Sequence, residues 1–131
     1  MAVVWAQLSC GILTTNVGSA NRSWGYHGDD GNKYWMPSAQ RLVNSPYGPT
    51  FTTHDVVGCG LNCLTNEMFF TKNGQVVDVA FSCLPQRVYP VVALASPKER
   101  VYVNFGQLPF LWNFDLQNRV TPLKPSTWCH E

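Results

Sequence analysis

The Asn73-Gly74 pair constrains the fold of this chain most, because it lies between two β-prone runs. The run "MFFTK" precedes the pair and the run "QVVDVAF" follows it. A two-residue turn of this kind needs positive φ at both positions, which asparagine and glycine tolerate best. The alternating stretch "DVVGCGLNCL" lies before these runs. Residues 56–81 are therefore predicted to form a three-stranded antiparallel meander.

The rest of the chain also has the pattern of a β protein. Turn residues recur about every ten positions, and no window keeps a helical apolar period. Strands are predicted over residues 2–14 and in "VYPVVAL" and "RVYVNF", with the turn "SPKE" between the last two. Residues 15–50 are dense in Gly, Asn, Ser, Asp and Pro, and are predicted to be mostly loop. Residues 116–131 are predicted to be a loosely held C-terminal tail.

Composition narrows the classes of partner. The 131 residues are 45% hydrophobic and 13% charged, with a formal net charge of +1. A charge so close to zero favours neither nucleic acid nor an anionic membrane surface as a partner. No apolar run approaches the ~20 residues that span a bilayer. We expect a protein of the cytoplasm, with the nucleus as a second location.

Five cysteines form an odd set without the spacing of a disulfide framework, so reduced thiols are predicted. Cys59 and Cys63 have a spacing that suggests a metal pair. On a strand, however, four residues separate them by about 13 Å, too far for a disulfide or a shared zinc ion. Both are predicted to be small core residues. Neither a metal nor a cofactor is predicted for the chain.

The stretch "SWGYHGDDGNKYW", residues 23–35, holds the densest set of candidate functional side chains. A metal site at His27, Asp29 and Asp30 would need further ligands that no neighbouring residue is spaced to supply. Asp29-Asp30-Gly31 is also an ordinary turn sequence. The aromatic rings are too many for a solvent-facing loop. Some are expected to anchor the core and others to contact a partner protein, and both interpretations stay open for each ring.

His54-Asp55 suggests a different class of function. The pair could form half of a catalytic relay, with a serine or an exposed Cys83 as the nucleophile. His27 is a second candidate histidine for such a reaction. The surrounding "TTHD" is also ordinary turn chemistry before a strand. A small hydrolase-like enzyme is therefore the alternative to a binding protein.

Four further motifs follow "GYHGDDG" in a fixed order over residues 23–114. They are "YGPTFTTHDVVGCGLN", "FFTKNG", "YPVVAL" and "VNFGQLPF". This order resembles a SPRY domain, most closely the Ran-binding protein M type found in subunits of CTLH/GID ubiquitin ligases. The resemblance implies an all-β fold, a two-sheet antiparallel bent β-sandwich over residues 1–115. It implies no enzymatic activity.

The resemblance also implies a function and a site. SPRY domains bind short segments of partner proteins, often with asparagine or acidic residues, and here such binding would select a substrate or adaptor for a ubiquitin ligase. Tyr34 is the strongest candidate ring, and Phe105 and Gly106 of the closing strand are expected in the same pocket. Rings would pack apolar parts of the ligand, while loop amides and polar side chains fix its polar groups. The expected peptide-binding residues are Tyr26, His27, Asp29, Asp30, Tyr34, Tyr47, Phe105, Gly106 and Gln107.

One departure from the family pattern concerns the start of the domain. SPRY domains open with strands that precede the position of Met1, so the sandwich is expected to be incomplete on its N-terminal side. Uncovered strand edges expose unpaired N–H and C=O groups. Self-association through those edges is therefore expected, and an inert truncated product is the remaining alternative.

Overall fold

The computed structural model describes residues 6–11, 23–38, 41–84, 88–94 and 97–113, which form two antiparallel β-sheets. The strands are β1 (Ala6–Gly11), β2 (Ser23–His27), β3 (Asn32–Ser38), β4 (Arg41–Pro46), β5 (Val57–Asn62), β6 (Glu67–Lys72), β7 (Gln75–Phe81) and β8 (Pro90–Leu94). The all-β, two-sheet antiparallel class predicted from the sequence is confirmed. No helix among the described residues is long and apolar enough to cross a membrane. The predicted tail, residues 116–131, lies outside the described residues.

The five-stranded sheet has the order β4-β3-β2-β1-β8. Its strands β1 and β8 lie where strands were predicted, and they pair antiparallel. The prediction of a loop over residues 15–50 is wrong, because β2, β3 and β4 lie within it. Trp24 faces Trp35 across the β2–β3 ladder, and Gly25 faces Tyr34. Such cross-strand ring pairs offset the low strand propensity of the glycine-rich composition.

The three-stranded sheet has the order β5-β6-β7, and the predicted meander is confirmed. The turn between β6 and β7 has φ of 50° at Asn73 and 81° at Gly74, as the Asn-Gly signal requires. The Asn73 side chain also holds the segment before β5. Its Nδ2 donates to Asp55 Oδ1 at 2.7 Å, and its Oδ1 accepts from the Val56 N–H at 2.8 Å.

The packing of the two faces of β5 differs from the prediction. Cys59 and Cys63 are exposed, so their prediction as core residues is wrong. The packed face is the glycine face, where a Cβ on Gly60 would lie 2.2 Å from the Phe69 ring. The Phe69 side chain of β6 therefore fills this face, and Gly60 of β5 leaves room for its ring. Cys83 is disulfide-bonded, so the prediction of reduced thiols is wrong at that residue.

The core lies between the two sheets and centres on the fully buried Tyr26. Its ring centroid lies 5.0 Å from those of Tyr47 and Phe51, and 5.2 Å from that of Phe70. Edge-to-face and tilted contacts of this kind add to the stabilisation from apolar burial alone. The buried core residues are Tyr26, Phe51, Met68, Phe70, Ala80, Phe81 and Leu84.

The segment after β8 differs from the prediction. "RVYVNF" was expected to be a strand, but residues 101–104 have no regular secondary structure. The side chains of Val101, Tyr102 and Val103 are 38%, 98% and 50% exposed. A β-prone run forms a strand only where a neighbouring strand supplies hydrogen-bond partners. In the described part of the chain, neither sheet extends to this segment.

Candidate functional site

The turn between β2 and β3 positions most of the predicted site residues. Gly31 has φ of 72°, and its N–H donates to the His27 carbonyl oxygen at 3.1 Å, which closes the turn. The Asp30 carboxylate accepts from the backbone N–H and the Nδ2 of Asn32, each at 2.9 Å. Asp30 therefore terminates the turn and holds its carboxylate in one orientation.

His27 and Tyr34 stack on the outer face of the five-stranded sheet. Their ring centroids are 3.8 Å apart and their planes are 21° from parallel. The strand register explains the contact, because Tyr34 lies opposite Gly25, which has no side chain to separate the rings. The neighbours Tyr26 and Trp35 point to the other face and pack in or against the core. Strand alternation thus divides the aromatic residues between core and surface.

A hydrogen bond links the stacked rings to the turn. The Tyr34 hydroxyl donates to Asp30 Oδ2 at 2.5 Å. Partial burial acts to raise the pKa of Asp30, but the hydrogen bonds from Tyr34 and Asn32 outweigh it and hold the pKa below its usual value. The carboxylate is therefore charged at neutral pH and anchors the Tyr34 ring. We call the group His27, Asp29, Asp30 and Tyr34 the turn surface.

Charge on the turn surface is negative at neutral pH. Burial lowers the pKa of His27, although Asp29 and Asp30 act in the opposite direction. His27 Nδ1 lies 3.9 Å from Asp29 Oδ1, and the Asp29 side chain is 57% exposed. One ligand atom from each of these three residues lies within 4.8 Å of the others, a group that could hold a cation. Both Asp30 oxygens already accept hydrogen bonds, so a cation would compete with the contacts that form the turn.

Tyr26 does not belong to the surface. Its side chain is fully buried, and its hydroxyl donates to the Pro49 carbonyl oxygen. Burial, with a smaller effect from Asp55, raises the pKa of Tyr26 to about 12. The expectation that Tyr26 contacts a peptide is wrong, because a ring at the centre of the core is closed to a ligand.

Tyr47 is a half-buried bridge between the sheets, and its hydroxyl is already engaged. It donates to the Asp78 carbonyl oxygen at 2.5 Å and accepts from the Phe70 N–H at 3.2 Å. Burial raises the pKa of Tyr47, and the hydrogen bonds with Phe70 and Asp78 only partly oppose this. The hydroxyl therefore joins β6 and β7 to the segment that follows β4, and only the rest of the Tyr47 side chain is left to contact a peptide.

Phe105, Gly106 and Gln107 lie in a compact loop between Asn104 and Leu108. Asn104 Oδ1 accepts from the Gly106 and Leu108 N–H groups at 3.0 and 3.1 Å. Gln107 Oε1 accepts from the Phe105 N–H at 2.6 Å. Gly106 has φ of 102°, a conformation that L side chains rarely adopt. The Phe105 ring is 68% exposed.

The predicted single pocket is divided between two surfaces. Phe105 lines a cavity of about 1020 Å³ bounded by β5, β6, β8 and the segment 101–112, with Phe69 and Trp112 in its wall. The described lining of this cavity contains no residue of β2 or β3. The turn surface lies on the five-stranded sheet, on the face away from the core. The structure thus brings together His27, Asp29, Asp30 and Tyr34, and the cavity that Phe105 lines includes none of them.

The residues of the hydrolase alternative do not form a relay in the described structure. The Asp55 carboxylate accepts from the Thr52 N–H at 2.9 Å and from Asn73, and Lys72 Nζ lies 3.3 Å from it. These contacts serve the turn before β5. His54 is exposed with φ of 73°. Cys83 is disulfide-bonded and has no thiolate to offer as a nucleophile.

Asn32 was not predicted as a site residue, although it fixes the Asp30 carboxylate. Its position two residues after an aspartate is the available signal, since Asp side chains often bind the backbone N–H two residues on. Lys33 was also missed. It alternates with Tyr34 along β3 and points towards the other sheet, an orientation that depends on strand register.

Comparison with known proteins gives consistent similarities. A family model described as "SPRY domain" matches residues 3–108. The chain is 48% identical over 93 residues to "Ran-binding protein 10" of Danio rerio, covering 71% of this chain and 15% of that protein. It is 47% identical to "Ran-binding protein 9" of Homo sapiens, covering 71% and 12%. It is 42% identical to "Ran-binding protein M homolog" of Arabidopsis thaliana, covering 70% and 19%.

A solved structure described as a human SPRY domain is also similar. It has a TM-score of 0.53 and 26% sequence identity, and the match covers 67% of this chain and 59% of that one. The chain spans less than a fifth of the length of each of the three curated relatives above.

Proposed function

Because the chain belongs to the SPRY domain family, we propose that it binds a short segment of a partner protein at the turn surface, without catalysis. SPRY domains are protein-interaction modules. Loops and turns held by a rigid β scaffold are the usual location of recognition residues. The proposal takes the partner to be a protein or peptide, with neither nucleic acid nor a membrane as the ligand.

The observation that carries this proposal is the stack of His27 on Tyr34, locked by the hydrogen bond from Tyr34 to Asp30. The two rings and the carboxylate are positioned before any ligand arrives, so binding need not order them. Preorganised aromatic groups contribute affinity at low entropic cost. Asp29, at the exposed edge of the same turn, is available to accept hydrogen bonds from a ligand.

The charge of the turn surface indicates the kind of segment it would bind. Asp30 stays ionised, and the lowered pKa of His27 leaves its imidazole mostly neutral near pH 7. Donor groups, such as an asparagine amide or an arginine guanidinium, are therefore favoured over acidic side chains next to Asp29. Apolar parts of the ligand would pack against the edge of the Tyr34 ring.

Selection from a random peptide library on the purified chain tests the proposal. The affinity of a selected peptide is then measured by calorimetry for wild type, Tyr34→Ala and Asp29→Asn. We expect Tyr34→Ala to weaken binding by about tenfold or more, as loss of a central ring contact does. Tyr89→Ala is the matched control, because Tyr89 is an exposed ring that precedes β8 and does not belong to the turn surface. Peptides that bind both variants as tightly as wild type would contradict the proposal.

Phe105 provides a separate arm of the same experiment. A ligand that uses the Phe105–Gln107 loop as well must reach from the turn surface to the cavity beside β5 and β6. Phe105→Ala would then weaken binding together with Tyr34→Ala. If only Tyr34→Ala has an effect, the ligand is confined to the turn surface.

The wider role is also a proposal. The resemblance to the Ran-binding protein M type supports recognition of a substrate or adaptor for a ubiquitin ligase, in the cytoplasm or the nucleus. Co-purification of ligase subunits with the chain, lost in Tyr34→Ala, would support this role.

The disulfide at Cys83 is unusual for a reducing compartment. Its redox state in protein isolated from cells is a direct check on the location. We also propose that copies of the chain associate through uncovered strand edges of the sheets.

A further inference from the structure

Residues 101–111 form a segment rich in exposed apolar side chains, which we call the apolar strip. The sequence "VYVNFGQLPFL" contains no charged residue. Seven of its large apolar side chains are at least 38% exposed, and Tyr102 reaches 98%. They are Val101, Tyr102, Val103, Phe105, Leu108, Phe110 and Leu111.

The exposed area of the apolar strip is large for the surface of a monomer. A Phe or Tyr side chain contributes about 150–250 Å² when fully exposed. With smaller areas for the two valines and the two leucines, the exposed fractions of the seven side chains add up to roughly 700 Å², part of which lines the cavity beside β5 and β6. The largest apolar patch on a monomeric protein is commonly about 300–600 Å². A stable dimer of standard size buries about 800 Å² on each partner.

The shape of the apolar strip is fixed by its own hydrogen bonds. Asn104 accepts from two N–H groups of the loop, and its Nδ2 donates to the Leu108 carbonyl oxygen at 3.0 Å. At the end of the strip, Trp112 packs edge-to-face on Phe69 of β6, with centroids 5.1 Å apart. The strip is thus a preformed surface attached to the three-stranded sheet.

The cavity of about 1020 Å³ is lined by the apolar strip and by the strands β5, β6 and β8. Every described residue that lines it is uncharged, including Val56, Gly58 and Val92. Each copy of the chain therefore offers both exposed rings and an uncharged cavity that could receive a ring. Only a neutral, apolar surface can cover such a region without leaving a charge desolvated.

We propose that the apolar strip is the contact surface of a homodimer, in which two copies meet strip to strip about a two-fold axis. A two-fold interface brings the same surface of both copies together, so any charge on that surface would be buried twice, once from each copy. The apolar strip has none, and its area is close to what one side of a dimer buries. The proposal does not depend on peptide binding at the turn surface, because neither the apolar strip nor its cavity includes a described residue of β2 or β3.

Sedimentation velocity of the purified chain over a wide range of protein concentration tests this proposal. We expect a reversible monomer–dimer equilibrium for the wild type. Tyr102→Glu and Phe110→Glu each place two like charges at the two-fold interface, and each should weaken dimerisation by about tenfold or more. Tyr102 is 98% exposed, so its replacement is not expected to disturb folding.

Leu64→Glu is the matched control, since Leu64 is 97% exposed in the turn between β5 and β6, outside the apolar strip. Thermal melting of all variants verifies that each is folded. A wild type that stays monomeric throughout would overturn the proposal, and so would association into species without a defined size. Equal weakening by Leu64→Glu, or a dimer unaffected by both strip variants, would also overturn it.

Discussion

Lys33 Nζ on β3 donates a hydrogen bond to the carbonyl oxygen of Ala80 on β7, at 2.7 Å, and so joins the two sheets. β7 is an edge strand of the three-stranded sheet, and an edge strand has main-chain carbonyls without a neighbouring strand to pair with. The ammonium group also lies 5.5 Å from the Phe81 ring centroid and 5.8 Å from that of Tyr47. Burial lowers the pKa of Lys33, with Asp78 opposing it. Lys33 thus has a structural role, because its ammonium group joins the two sheets at the edge of the core.

Lys33→Met is expected to destabilise the fold by about 1–3 kcal/mol, because the buried Ala80 carbonyl oxygen loses its donor. Urea unfolding followed by tryptophan fluorescence measures the change. Lys98→Met is the control, since Lys98 is exposed in a turn, and it should change stability by less than about 0.5 kcal/mol. Equal effects from the two substitutions would remove the role assigned to the Lys33 hydrogen bond.

Tyr47→Phe is expected to cost about 1–3 kcal/mol of stability, because the Asp78 carbonyl oxygen and the Phe70 N–H both lose the hydroxyl. The ring itself remains, so packing against Tyr26 and Phe70 is preserved. Thermal melting of Tyr47→Phe beside Tyr89→Phe checks this. Tyr89 is 57% exposed and should lose almost nothing. A melting temperature for Tyr47→Phe equal to wild type would show that the hydroxyl does not hold the sheets together.

Gly60→Ala is expected to destabilise the chain by about 1–3 kcal/mol, because the new methyl group would overlap the Phe69 ring. The ring must then move from its contact with Trp112. In a Phe69→Leu background the same substitution should cost clearly less, since the clash is reduced. Chemical unfolding of the four proteins completes a double-mutant cycle. Additive effects would mean that the ring does not require glycine at this position.

Stability is expected to fall with acidification through the range where free histidine titrates. The folded-state pKa of His27 is lowered from 6.5, so the unfolded chain binds the proton more readily. The contribution is fully present above about pH 6.5 and is lost as the pH falls towards the folded-state pKa. His27→Phe keeps a ring to stack on Tyr34 but cannot titrate.

Melting temperatures of wild type and His27→Phe, compared across this pH range, isolate the contribution of His27. The wild type should lose more stability than the variant as the pH falls. A histidine NMR titration of the folded chain should place the pKa of His27 below that of an unfolded peptide. Parallel pH profiles for the two proteins would contradict the burial of the His27 ring.

The meander and the strands β1 and β8 were predicted correctly because their signals are short-range, whereas the pairing of β1 with β8 was not predicted. The Asn73-Gly74 turn and the alternation along β5 and β7 depend on neighbouring residues only. The loop predicted over residues 15–50 was wrong because β2, β3 and β4 contain glycine and proline. They become strands through pairs such as Trp24 with Trp35, which no local pattern reveals. The segment "RVYVNF" is the reverse case. Its β propensity is high, but residues 101–104 form no strand because the described sheets do not extend to them.

The candidate site was predicted in part. His27, Asp29, Asp30 and Tyr34 lie close in sequence around one turn, so the motif that contains them also brings them together. Tyr26 lies in the same motif but faces the core, because side chains alternate between the faces of a strand. Phe105 was expected in the same pocket through family resemblance, and the cavity that it lines includes no described residue of β2 or β3.

Local signals along the chain specify the β class, the turns and which residues surround the β2–β3 turn. They act between residues a few positions apart, so they can be read without knowledge of the fold. Burial of Tyr26, exposure of Cys59 and the orientation of Lys33 towards Ala80 follow instead from how the two sheets pack. These outcomes depend on contacts between residues far apart in sequence, and a one-residue change of register would reverse each of them.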